Sequence, residues 1–182
     1  MYKKYLILSS FAFLLFIGSC SSENSGVDNE SIKSDIVYKK VSLPDGVISA
    51  NSIGESITVC EAKLKNVAGN WLTVEGFIGG RREPISKERA IFIMGDHELV
   101  TCDEMPTDHC STPWDACCEP REKISSSTLT VRLVDSKNDV LKGTLYGLRG
   151  IKPGQTIKVF GKVDQKSIPE SMIINAEKLE LL

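Results

Sequence analysis

From Ile53 onward the apolar residues fall into short runs separated by breaks rich in glycine, proline and asparagine, a pattern that predicts strands. Trp71 to Ile78 alternates and is rich in β-formers, Gly79-Gly80 closes it, and Gly76 inside it marks a bulge or sharp bend. A second run, Ala90 to Met94, stops at Gly95-Asp96. A third, Thr128 to Asp135, puts Leu129, Val131 and Leu133 on one face, and the turn Ser136-Lys137-Asn138-Asp139 leads into a shorter run from Val140 to Tyr146. Lys152-Pro153-Gly154 introduces Thr156 to Val163, and Ile168-Pro169-Glu170-Ser171 precedes Met172 to Leu181. Ahead of these strands, Ile57, Cys60, Leu64 and Val67 recur at spacings of three and four. That spacing predicts a short helix over Ile57 to Val67, with Cys60 a buried thiol on its apolar face. Ile32 to Asn51 has no clear period and reads as an extended approach with one short strand at most.

The N-terminus has a different pattern. Lys3 and Lys4 precede an apolar run from Leu6 to Ile17, which is shorter than the ~20 residues a membrane-spanning helix needs. Ile17-Gly18-Ser19-Cys20 then resembles the lipobox of bacterial lipoproteins, where cleavage falls just before an acylated cysteine. Residues 1–19 are therefore expected to be a signal peptide, with Cys20 the lipidation site, since two or more acyl chains hold a protein stably at a membrane. From Ser21 to Ser31 there is almost nothing to bury, so residues 20–52 read as a polar tether and residues 53–182 as the folded domain. Ser21 carries no strong signal for retention in one membrane rather than another.

The order of the strands carries a second resemblance. Pro153-Gly154-Gln155-Thr156-Ile157-Lys158-Val159-Phe160-Gly161-Lys162-Val163 followed by Ile173-Ile174-Asn175-Ala176-Glu177-Lys178-Leu179 is similar to the two closing strands of an OB-fold. Val74-Glu75-Gly76-Phe77-Ile78 is similar to its bent first strand. The resemblance is to OB domains of the tRNA-anticodon/helicase nucleic-acid-binding type. It implies a mainly β, five-stranded OB-like barrel, with a hairpin in place of the usual helix between strands three and four, a short N-terminal helix, and an insertion between strands two and three.

Composition narrows the function classes. The 182 residues hold 41% hydrophobic and 25% charged residues, ordinary for a globular chain. Formal charge is −2; losing Lys3 and Lys4 with the signal leaves 20 basic against 24 acidic residues, or −4. Nothing here supplies the basic face on which nucleic-acid binding rests, so nucleic acid is disfavoured despite the OB resemblance.

The insertion, residues 97–120, concentrates the chemistry. Cys102, Cys110, Cys117 and Cys118 lie within seventeen positions, and both histidines, His97 and His109, are in or beside the segment. Thr112-Pro113-Trp114-Asp115-Ala116-Cys117-Cys118 resembles a block found in small exported OB-like proteins of bacteria, in which the position of Ala116 is usually aromatic. Thr112 is a good N-cap, Pro113 suits a first helical position, Asp115 can bond back to the cap, and Pro120 would stop the element. Cys117 and Cys118 would then share a helical turn with side chains ~100° apart, each needing its own partner.

Three readings of the cysteines stay open. In an oxidising cell envelope, two disulfides would join Cys102 and Cys110 to Cys117 and Cys118 in either order, stapling a segment with little to bury. Alternatively, these cysteines with His97 and His109 would hold zinc or copper, although no C-x₂-C pair is present. Thiol–disulfide chemistry is the third, without the C-x-x-C of redox enzymes. No catalytic arrangement of serine with histidine or of paired carboxylates stands out. Trp114 is either a hydrophobic plug or, with Asp115, part of a binding surface. The sequence thus predicts a membrane-anchored, envelope-located, non-catalytic binding or assembly module, its partner a protein or a glycan.

Overall fold

The structure, a computed structural model, describes residues 38–65, 67–105 and 110–182. The expected signal peptide, Cys20, most of the tether and His109 lie outside the described residues. The described elements run β1 (Ile48–Ser49), β2 (Ile57–Thr58), α1 (Val59–Leu64), β3 (Trp71–Ile78), β4 (Ile91–Gly95), a 3-10 turn (Cys102–Glu104), α2 (Arg121–Ser126), β5 (Thr128–Arg132), β6 (Thr156–Val163) and β7 (Ile173–Leu181).

Five strands close a barrel. β3 pairs antiparallel with β4, β4 antiparallel with β5, β5 parallel with β7, β7 antiparallel with β6, and β6 antiparallel with β3. This is the five-stranded OB order, with the one parallel pair between its third and fifth strands. The two short extra strands add at the margins, β1 parallel to β7 and β2 parallel to β3. Where other OB barrels place a helix between strands three and four, Val134 pairs with Val140 across a tight turn whose Asn138 takes φ 65°. The run expected from Val140 to Tyr146 does not become a strand. It makes single bridges instead, Arg89 to Lys142 and Lys40 to Thr144, because its neighbours are loops that offer only one pairing position each.

Alternation along the strands fills the interior. Val74, Phe92, Met94, Ile157, Ile174 and Leu179 are fully buried in one core, and each such side chain contributes about 2–3 kcal/mol by leaving water. The packing reaches back to Val41, upstream of the boundary expected at Ile53, since Val41 donates its backbone N–H to Thr144 and buries its side chain in the same core. Closure needs two glycines. A Cβ at Gly76 would stand 2.4 Å from the Gly95 carbonyl oxygen and 2.9 Å from Met94 Cγ, where β3 leaves β6 and takes up β4. A Cβ at Gly161 would stand 2.4 Å from the Asn175 oxygen, beside the irregularity where Phe160 pairs with Lys178 and Gly161 with Ala176. Glu177 is the extra residue of that bulge, which re-aims β7.

The helix differs from its expected phase. Thr58 Oγ1 accepts from the Glu61 N–H and the Glu61 carboxylate accepts from the Thr58 N–H, a capping box that starts α1 at Val59 and leaves Ile57 to pair with β3. The buried face is then Val59 and Ala62, while Leu64 is 89% exposed. The apolar period through Ile57, Cys60, Leu64 and Val67 was misleading because two of its members face water.

A polar network locks the far end of the barrel. Buried Asp164 pairs with Arg132 of β5, accepts from Asn175 Nδ2 at 2.9 Å and from the Lys166 N–H at 2.9 Å, while Arg132 Nε donates to Asn175 Oδ1 at 2.6 Å. Burial alone would raise the Asp164 carboxyl; the Lys166 N–H, Asn175 and Arg132 outweigh it and hold it below the usual range. A depressed folded pKa contributes stability that is complete above the unfolded value, near 4, and is lost as pH falls through the folded one. Asp164→Asn should therefore cost about 3 kcal/mol near neutral pH by leaving Arg132 unpaired, and should flatten the acid limb of stability measured by denaturant melts from pH 6 to pH 2. Gly76→Ala should cost about 3 kcal/mol in the same melts, since the clash is with backbone that cannot rotate away.

Candidate functional site

β4 ends at Gly95, and the chain re-enters the barrel only at Thr128. Asp96 pins the base of this long excursion. Its carboxylate accepts from the Cys60 N–H at 2.8 Å and the Glu98 N–H at 3.0 Å, and its own N–H donates to the Ser127 carbonyl at 2.9 Å. Burial alone would raise its carboxyl, but the two backbone donors win and lower it. Asp96, Cys60 and Glu98 bring ligand atoms together, yet both Asp96 oxygens already serve as backbone acceptors, so this group is a structural tie.

Within the excursion, Phe77, Leu99 and Ala116 form a small second core with Ile124 packed on it. Ala116, at the position where this chain departs from the block it resembles, packs with Phe77 and Leu99 in this small core. The expected helical turn over Pro113 to Glu119 is absent. Instead, the Asp115 N–H closes a turn on the Thr112 carbonyl and the Glu119 N–H another on the Ala116 carbonyl. Pro120 precedes α2 rather than ending a helix. The chain breaks here because the Asp115 carbonyl is engaged by the Cys102 N–H at 2.8 Å and so cannot serve a helical repeat.

Those two turns fold the cysteines onto the 3-10 turn. Cys102 is buried, and its Sγ lies 3.4 Å from Cys117 Sγ. Cys110 joins them, the three sulfurs all within 4.8 Å of one another, and Cys110 Sγ also lies 3.2 Å from Thr112 Oγ1. Burial, then the contacts with Cys117 and Cys110, push the Cys102 thiol far up. Cys118 is exposed and outside this group of three. His97 is exposed and sits 5.9 Å from the Phe77 ring rather than with the sulfurs.

The expected aromatic and acidic partners part company. Asp115 is only 8% exposed and lines a cavity of about 410 Å³ with Arg82 and Arg121, apart from the groove that Trp114 lines, while its backbone organises the turn. Trp114 is half-buried, donates its indole N–H to the Arg82 carbonyl at 3.1 Å, and lines a groove of about 520 Å³ with Phe77, His97, Leu99 and Lys152. Cys60, expected buried, is half-buried and beside a surface cavity of about 730 Å³ with Lys63 and Arg121. Its thiol donates to Ser127 Oγ at 3.6 Å, and burial raises its pKa. Lys63 donates to the Ser125 and Thr128 carbonyls at 2.7 and 3.0 Å, which fixes α1 to the end of α2 and the start of β5.

Sequence reasoning passed over one further site. The loop from β3 to β4 carries Arg81, Arg82, Lys87 and Arg89. Against it lie Tyr38 and Lys40 from the approach and Tyr146 from the turn region, forming a groove of about 480 Å³ with Pro84, Ile85 and Pro153 in its walls. Tyr38 is 37% and Tyr146 57% exposed. Lys87 Nζ stands 5.9 Å from the centre of the Tyr38 ring and 3.0 Å from Glu83. Glu83 is thereby paired, so Lys40 and Arg82 leave the groove cationic in a chain of acidic balance. The basic run Arg81-Arg82 was a signal in the sequence, but its aromatic partners come from positions far away in the chain.

No protein-family profile matches the chain, and no curated protein does. Among solved structures, the hypothetical protein ygiW from E. coli is similar at a TM-score of 0.38 and 19% identity, over 71% of this chain and 91% of that one.

Proposed function

We propose that this chain is an exported, lipid-anchored and non-catalytic binding module, and that its ligand is an acidic glycan held in the Tyr38–Tyr146 groove. The observation that carries the reading is the groove's composition: two exposed tyrosine rings flanked by Lys40 and Arg82, neither in an ion pair among the described residues. Aromatic faces stack on sugar rings, and cations beside them recognise carboxylate or sulfate groups. OB barrels bind oligosaccharides or oligonucleotides with the loop between strands one and two, the loop that supplies Arg82 and Pro84 here. An envelope location favours a glycan over nucleic acid, and its acid groups would be received by the local cations Lys40 and Arg82 against the chain's net acidity. The insertion supports that loop from below, since the Gly80 N–H donates to the Trp114 carbonyl at 2.9 Å and the Trp114 indole to Arg82. Within this reading, a Cys102–Cys117 disulfide is the oxidised staple that the 3.4 Å sulfur contact favours.

Calorimetric titration with a hexauronate should show saturable binding that a neutral hexaglucan does not reproduce. Tyr146→Ala or Lys40→Ala should each weaken it about tenfold, or ~1.4 kcal/mol. Equal binding of the neutral sugar, or an affinity indifferent to both substitutions, would remove the glycan. For the anchor, Cys20→Ser should abolish incorporation of labelled palmitate and release the protein from the membrane fraction; a labelled, membrane-bound Cys20→Ser protein would end the lipoprotein reading.

A further inference from the structure

A staple requires two sulfurs, and this insertion brings three to one point. Cys102 and Cys117 are 3.4 Å apart, and Cys110 lies within 4.8 Å of both. The three come from separate stretches of the insertion: Cys102 from the 3-10 turn, Cys110 from the residues ahead of the Thr112–Asp115 turn, and Cys117 from the turn after Ala116. Two of them are held by backbone bonds independent of their thiols, Cys102 by its N–H to the Asp115 carbonyl and Cys117 by the Ala116–Glu119 turn around it. An ion with three sulfur bonds of about 2.3 Å in one plane needs sulfurs about 4.0 Å apart, inside the observed spread. No carboxylate or imidazole of the described residues joins the group. Among the described residues the site offers three thiolates and no hard donor, a set that suits a soft d¹⁰ ion content with three ligands, whereas zinc asks for a fourth. One sulfur is buried, one half-buried and one exposed, so an ion could enter and leave from the Cys117 side.

We propose that Cys102, Cys110 and Cys117 form a three-sulfur site for Cu(I) in the reduced protein. Binding displaces thiol protons to solvent and changes no oxidation state. A bound ion and a Cys102–Cys117 bond exclude each other, so the site and the staple are alternative states of the same sulfurs. The proposal is independent of the glycan groove, whose residues contribute none of these ligands.

The test uses full-length protein purified from the envelope in detergent, reduced under argon and titrated with Cu(I) against bicinchoninate, with X-ray absorption on the loaded sample. One Cu(I) per chain withheld from the chelator and three sulfur neighbours around copper are expected. Cys110→Ser and Cys117→Ser should each weaken retention at least tenfold, while Cys60→Ser leaves it unchanged; thermal melts check that each variant is folded. The absorption measurement on the unaltered protein stands even if a variant fails to fold. No retention of copper, two sulfur neighbours only, Cys110→Ser indistinguishable from the parent, or displacement of Cu(I) by equimolar Zn(II) would each overturn the assignment.

Discussion

The whole arrangement depends on β3 serving two neighbours at once. It pairs with β6 from Trp71 to Phe77 and with β4 from Phe77 to Ile78. A strand that changes partners must turn sharply, and the turn brings the Gly95 carbonyl to where a side chain at residue 76 would begin. Only a missing Cβ allows it. Once β3 has turned, the five strands close with no free edge in the barrel itself, and both long loops of its first half, residues 79–90 and 96–127, emerge together. Their contact through Gly80, Arg82 and Trp114 follows from that closure.

What the sequence made legible is what a local period can report. The strands beginning at Trp71 and Thr156, and the one beginning at Ile173 up to its bulge at Glu177, alternate closely enough for one face to be read as core, and the glycine of the first strand could be recognised as the bend. The helix was legible as a helix but not in phase, because Leu64 and Val67 are apolar residues that face water, and the reliable signal was Thr58 with Glu61 three positions later. In the insertion, the spacing Thr112-Pro113-x-Asp115 looked like a helix start, yet an isolated turn with no apolar face to bury has nothing to propagate it. Asp115 turned inward because its carbonyl was claimed from outside the segment by Cys102. The tyrosine groove was not legible at all, since residues 38, 82 and 146 meet only after the barrel has closed.

The two halves of the domain are held by different means. The barrel has a continuous core that includes Phe92, Ile157 and Leu179, and its buried Arg132–Asp164 pair shares Asn175 through hydrogen bonds. The insertion has Phe77, Leu99 and Ala116, of which Phe77 belongs to β3. Among its described residues, Leu99, Cys102 and Ala116 are its own buried apolar side chains, and they contribute at most a few kcal/mol against the conformational entropy of some thirty residues. A segment so poor in burial needs another constraint, and the clustered sulfurs are where one is available. A covalent bond and a bound ion meet that need in the same way, by removing freedom from the open chain or by binding only the closed one.

The barrel order does not select a function, because one fold carries many. Selection comes from what each site requires of the chain. The groove is assembled from three distant segments, so anything that opens the barrel dismantles it, however sound its tyrosines remain. The sulfur group is assembled within residues 102–117 and hangs from the barrel by the Asp96 tie and the small second core. Substituting a sulfur there leaves every strand pairing intact, whereas losing the bend at Gly76 takes both sites together. The two chemistries can therefore be separated by mutation in one direction only, and that asymmetry is a property of the topology.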